Sequence, residues 1–120
     1  MLTSSELAIE AARAADDKKA INVCIMDMRQ SLGITDYFVV ASGRTDRQVT
    51  RIQEAVEEKL RELGVKPARR EGERFARWVL LDYVDVVVHV FLDDCRSFYD
   101  LEHLWQVPFL EWRKDGANAT

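Results

Sequence analysis

The order of elements in this sequence predicts an α/β (α+β) fold in which helices pack on a mixed β-sheet. Three observations lead there. The longest apolar run, Trp78 to Leu92, is broken by acids between Asp82 and Asp85 and reads as two strands joined by a turn. A second strand pair, Ile21 to Met28 and Asp36 to Ser42, is separated by a short turn around Gly33. Apolar residues at helical spacing, Leu7 to Ala15 and Val49 to Leu63, stand before each pair. Helix, two strands, helix, two strands is a layered pattern, and 120 residues suffice for one core but not two.

The first helix opens at Thr3-Ser4-Ser5-Glu6, a capping box, and its stripe (Leu7, Ala8, Ala11, Ala12, Ala15) is mostly alanine. Such a stripe lies close against a sheet but buries little area. In the first strand Ile21, Val23 and Ile25 alternate with Asn22, Cys24 and Met26. Thr45 and Gln48 repeat the capping spacing before the second helix, whose stripe is Val49, Ile52, Val56, Leu60 and Leu63. Gly64 then ends it. Val65 to Arg74 reads as a surface connection. Val86 to Leu92 lacks polar alternation, so it is a strand covered on both faces. Asp93-Asp94 starts a third helix with Phe98, Leu101, Leu104 and Trp105 on its stripe, and Pro108 stops it. Phe109, Leu110 and Trp112 follow as an edge strand or apolar tail. The domain is expected over 1–112, with 113–120 a flexible tail.

One strand carries the functional question. If Trp78 to Asp82 is extended, Trp78, Leu80 and Asp82 face one way while Val79 and Leu81 face the other. One face is core. The other either offers Trp78 and Leu80 to a partner or lies under a helix, and composition slightly favours the covered arrangement.

Bulk properties exclude several classes. A net charge of −4 gives no general attraction to nucleic acid, although Lys66, Arg69, Arg70, Arg74 and Arg77 cluster in one connection and Arg44, Arg47 and Arg51 open the second helix. Such clusters are usually solvated faces. Cys24 and Cys95 form no framework, which fits a reducing, cytoplasmic setting, and no apolar run spans a membrane. His89 sits in an apolar strand as a core histidine. His103 with Asp100 and Cys95 lacks the paired spacing of a metal site, so no metal and no cofactor is expected. No catalytic residue is assigned either, because no nucleophile elbow surrounds Ser42 or Cys95. Ser42-Gly43, between a strand and a helix, resembles the phosphate-binding turn of nucleotidyltransferases, but that chemistry needs a D-x-D pair to hold magnesium. None occurs here.

Several separated segments together resemble the ribosomal silencing factor, or Iojap-like, family. They are Thr35 to Gly43, Arg47-Gln48-Val49, Trp78 to Phe91, and Arg96 to Trp105, and the resemblance covers roughly residues 4 to 106. It implies a nucleotidyltransferase-like core without catalytic carboxylates. It also implies a non-enzymatic binding protein that docks on the large ribosomal subunit through its fourteenth protein. Docking there blocks the small subunit and represses translation when nutrients are short. Members are often homodimers when free. On that basis the partner-binding candidates are Trp78, Leu80, Leu81, Asp82, Tyr83 and Asp85, braced by Arg96, Tyr99 and Trp105. Lys66, Arg69 and Arg70 are candidates for a minor contact with ribosomal RNA. Two departures stand out: Val84 replaces the family's usual hairpin Gly, and Gln106-Val107 replaces an acidic-Ala pair. The alternatives are a nucleotidyltransferase or nucleotide sensor using Ser42-Gly43, and a dimeric scaffold with no ribosomal role.

Overall fold

Thr3 begins the first helix, α1 (Ser4–Asp17). Its hydroxyl accepts the Glu6 N–H at 3.1 Å while the Glu6 carboxylate accepts the Thr3 N–H at 2.9 Å, completing the expected capping box. The computed structural model describes residues 2–30, 35–72, 78–93, 109–112 and 118–119, the last two segments by their backbone course. Ala8, Ala11, Ala12 and Ala15 are buried, so small side chains set α1 close to the sheet.

Strand β1 (Ile21–Asp27) pairs antiparallel with β2 (Tyr37–Gly43), as their short connection requires. The register shifts between Ile21 and Cys24, where Asn22 takes φ 53°, the mark of a bulge at the start of the strand. Helix α2 (Asp46–Glu62) follows. Thr45 caps it by accepting the Gln48 N–H. Its stripe Val49, Ile52, Val56 and Leu60 is fully buried, each side chain contributing about 1.5–3 kcal/mol of transfer free energy. At its end the N–H of Gly64 (φ 87°) donates to the Arg61 carbonyl and that of Val65 to the Leu60 carbonyl, a Schellman stop.

The connection expected after α2 contains a three-residue strand, β3 (Arg69–Glu71), paired with β4 (Trp78–Asp82). All three β3 residues are exposed, so no apolar alternation marks the strand in sequence. Its charges suit an edge, since they discourage further pairing. Gly72 closes this pair: any Cβ there would collide with the Trp78 carbonyl oxygen. Strand β5 (Val86–Leu92) completes the expected hairpin with β4 and runs parallel to β2. Next come β6 (Phe109–Trp112), antiparallel to β1, and β7 (Asn118–Ala119), antiparallel to β6. The sheet order is β3-β4-β5-β2-β1-β6-β7, mixed as predicted. β6 therefore lies inside the order instead of at its edge. The third helix expected after Asp93, with Cys95, Arg96, Tyr99, Asp100, His103 and Trp105, lies outside the described residues, as do Arg74, Arg77, the Gly33 turn and residues 113–117.

Both described helices pack on one face of the sheet, over Val23, Ile25, Val39, Ala41, Val79, Leu81, Val86, Val88 and Val90. The opposite face carries Cys24, Met26, Met28, Phe38, Val40 and Phe91, with Trp78 and Val87 partly buried beside them. β5 is thus apolar on both faces because it lies between β4 and β2 in a sheet with two cores.

The hairpin tip is strained. Val84 takes φ 74°, a left-handed conformation that costs an L residue about 1–2 kcal/mol. The Asp82 carboxylate fixes it by accepting the Val84 N–H at 2.8 Å. Val84→Gly should therefore stabilise the chain by about 1 kcal/mol, after the entropy that glycine adds to the unfolded state. Urea titration measures this, and an unchanged or lower midpoint would mean that the tip relaxes out of the strained conformation.

Candidate functional site

Strand parity divides the candidate residues into two sets. Val79 and Leu81 are fully buried under the helices, and Tyr83, next in the same series, is only 6 % exposed. Sequence reasoning sets Leu81 and Tyr83 on the partner-binding patch; the structure places them in the core. The cause is the period of two: once Val79 faces α2, Leu81 and Tyr83 must follow it. The Tyr83 hydroxyl is pushed up to about 12, chiefly by burial and then by nearby Glu57, with Arg70 opposing. A side chain in that position packs; it does not reach a partner.

Trp78, Leu80 and Asp82 occupy the other face, each partly exposed. The register sets Trp78 beside Phe91, Leu80 beside His89 and Asp82 beside Val87. Trp78 stacks on Phe91 with centroids 5.1 Å apart, and its indole N–H donates to Nδ1 of His89 at 3.0 Å. One edge of the indole is fixed, and part of its surface is left to solvent. Phe38 meets the same imidazole edge-on at 4.5 Å.

The carboxylates are not equivalent. One oxygen of Asp82 accepts the Val84 N–H and the other faces Arg69 at 3.3 Å, so Asp82 is engaged in building the tip. Asp85 is exposed, and its carboxylate forms no ion pair among the described residues. Its backbone oxygen accepts the N–H groups of Asp36 and Tyr37, which joins the tip to the start of β2. Sequence reasoning missed Val84 as a surface residue. It is 59 % exposed, the largest exposure of any bulky apolar side chain described, and its signal was the departure from the family's glycine. Trp78 and Leu80, partly exposed, and Val84 and Asp85, exposed, form one ridge along the hairpin that solvent reaches.

The nucleotide reading finds no room. Ser42 is fully buried and engaged within the sheet. A Cβ on Gly43 would lie 2.9 Å from the Val49 backbone nitrogen, so this glycine serves close strand-to-helix packing. Asp46 already sets a negative charge in the first turn of α2. Among the described residues no three His, Cys, Asp or Glu side chains converge as a metal site, and no described helix is long and apolar enough to cross a membrane.

The family described as ribosomal silencing factor during starvation matches residues 1–118 of this chain. The chain belongs to the ribosomal silencing factor family. The Bacillus subtilis ribosomal silencing factor is 44% identical over 95 residues, covering 79% of this chain and 80% of that protein. A crystal structure of a Chromobacterium violaceum protein superposes with a TM-score of 0.85 at 35% identity and 88% coverage of both chains. A more distant relative, mouse "mitochondrial assembly of ribosomal large subunit protein 1", is 26% identical over 91 residues, with 73% of this chain covering 40% of it. The family is named for a regulatory role at the ribosome and not for a catalysed reaction, which agrees with a buried Ser42 and a filled Gly43 turn.

The hydrogen bond that holds Trp78 requires a neutral imidazole. Burial alone pushes His89 down to about 4, and Nε2 has no partner among the described residues. The unfolded chain takes up a proton near pH 6.5 and the folded chain only near pH 4. Stability is therefore complete above pH 6.5 and declines as pH falls toward 4, by about 3 kcal/mol. Urea unfolding at pH 7, 6, 5 and 4.5 tests this. A profile flat across that range would show that the ring meets water and does not anchor Trp78.

Proposed function

We propose that this chain binds the large ribosomal subunit through its fourteenth protein, with the ridge of Trp78, Leu80, Val84 and Asp85 as the contact. Docked there, it occupies the surface on which the small subunit must land, and translation falls when nutrients are limited. The observation that carries this reading is the partly exposed face of β4, where Trp78 is held by His89 and Phe91 and stands beside Leu80. Rigid aromatic anchors of this kind dominate binding energy at protein interfaces, and the exposed Asp85 carboxylate at the rim suits a basic partner. Family membership supplies the ribosome, and the mouse relative's name specifies a large subunit. Exclusion needs neither cofactor nor catalysis, only a body held where another must dock. In the same reading the chain acts in the cytoplasm and is a homodimer when free; of Lys66, Arg69 and Arg70, the two arginines already pair with Asp82, Glu71 and Glu57, which leaves Lys66 for a minor contact with ribosomal RNA.

Trp78→Ala removes the anchor but also the contacts to Phe91 and His89, so part of its effect is on folding. Leu80→Glu and Asp85→Lys leave the helical core untouched. Each should weaken co-sedimentation with purified large subunits about tenfold or more, with urea midpoints near wild type. The wild-type chain should lower the yield of joined particles when both subunits are mixed, and the two variants should restore it. Full inhibition of joining by both variants would rule out the ridge as the docking contact.

A further inference from the structure

Five basic side chains, Lys18, Lys19, Arg44, Arg47 and Arg51, line one shallow groove at the start of α2. They come from two separate places in the sequence, the end of α1 and the stretch that runs from the turn after β2 into α2. Gln48 ties these together. Its side-chain N–H group donates to the carbonyls of Lys18 and Lys19, at 3.3 and 3.0 Å, while its oxygen accepts the Arg44 N–H at 2.7 Å. All five residues are exposed, and none forms an ion pair among the described residues.

Arg69 and Arg70, in the other basic cluster, behave differently. Arg69 faces Asp82 at 3.3 Å and Glu71 at 3.8 Å, and Arg70 meets Glu57 at 2.9 Å. Their charge is compensated within the chain. The α2 groove keeps its cations uncommitted on a protein whose net charge is −4. Asp46 and Asp17 stand near them, and Glu54 and Glu58 follow further along α2, so the positive excess is confined to the helix start. Arg47 and Arg51 lie one turn apart, about 6 Å along the axis, adding two guanidinium forks to the positive end of the α2 dipole.

Strand register brings this groove to the same end of the sheet as Trp78. Trp78 is opposite Phe91, Phe91 opposite Ser42, and Ser42 opposite Ile21. At about 4.8 Å per strand, the β2 exit that leads into Arg44 lies roughly 10 Å along the sheet from the Trp78 backbone, the groove on the helix-covered face and the Trp78 side chain on the other, so the two meet a partner only around this end of the sheet. We propose that Lys18, Lys19, Arg44, Arg47 and Arg51 grip the phosphate backbone of ribosomal RNA beside the surface that the ridge contacts, an inference that rests on the large-subunit reading above. The ridge supplies the specific docking contact, and the groove supplies salt-dependent affinity and orientation.

The test compares wild type with the triple variant Lys18→Gln/Arg47→Gln/Arg51→Gln across a potassium chloride series. Binding is measured to purified large subunits and, separately, to deproteinised large-subunit RNA. On subunits the variant should bind about tenfold more weakly at low salt. Its plot of log affinity against log salt should be flatter by about 2 to 3, near 0.9 for each phosphate that is no longer neutralised. On bare RNA it should lose binding in the same way. An unchanged salt slope on both targets overturns the proposal. Weaker subunit binding with unaltered RNA binding also overturns it, because the cations then meet an acidic ribosomal protein. If wild type itself fails to bind subunits, the docking reading falls, and the bare-RNA comparison still decides the groove.

Discussion

A hydrogen bond from the Trp78 indole to Nδ1 of His89 ties the proposed docking surface to the core. It forms because β4 and β5 pair in a register that sets Leu80 against His89 and Trp78 against Phe91. That register is fixed from the other side of the sheet, where Val79, Leu81, Val88 and Val90 are all sealed under the helices. A one-residue slip of β4 would expose Val79 and Leu81 and bury Trp78, Leu80 and Asp82 in their place. The helical core therefore determines which side chains a partner meets, although it touches none of them.

The same constraint shows why a core histidine matters away from any catalytic site. As an acceptor at Nδ1, His89 must carry its proton on Nε2, which is buried without a partner among the described residues. Burial without full satisfaction costs stability. The strained Val84 at the other end of the hairpin adds a second local cost. Both costs fall in one hairpin, at the two ends of the proposed ridge, and unfavourable features collect where binding constrains a sequence more than folding does.

Much of this was legible in the sequence. The α1 capping box, the Thr45 cap of α2, alanine and valine stripes, the Gly64 stop and the two antiparallel pairs all follow from local rules, so α1, α2 and four strands lie close to their expected bounds, although Gln48 turns to Arg44 and leaves the second capping box incomplete. The split of β4 into two faces was legible too, but not which face was core, because Trp78 and Leu80 are as apolar as Val79 and Leu81. Leu81 and Tyr83 were misplaced for that reason. β3 gave no signal, since an edge strand exposed on both sides has no alternation to read. The parallel pairing of β2 with β5 depends on contacts across more than forty positions of sequence, beyond the reach of any local pattern. Asp82 looked like a free carboxylate in sequence and proves to be spoken for by Val84 and Arg69.

If the ridge docks, Trp78 and Leu80 are the residues that a large subunit covers. Hydroxyl-radical footprinting of the chain, free and bound to purified large subunits, measures that directly when oxidation is resolved by mass spectrometry. Leu63, exposed at the far end of α2, is an internal reference. Binding should sharply reduce oxidation at Trp78 and Leu80 and leave Leu63 unchanged. Equal oxidation of Trp78 and Leu80 in the free and bound states, or protection centred on Leu63, would contradict docking through the ridge.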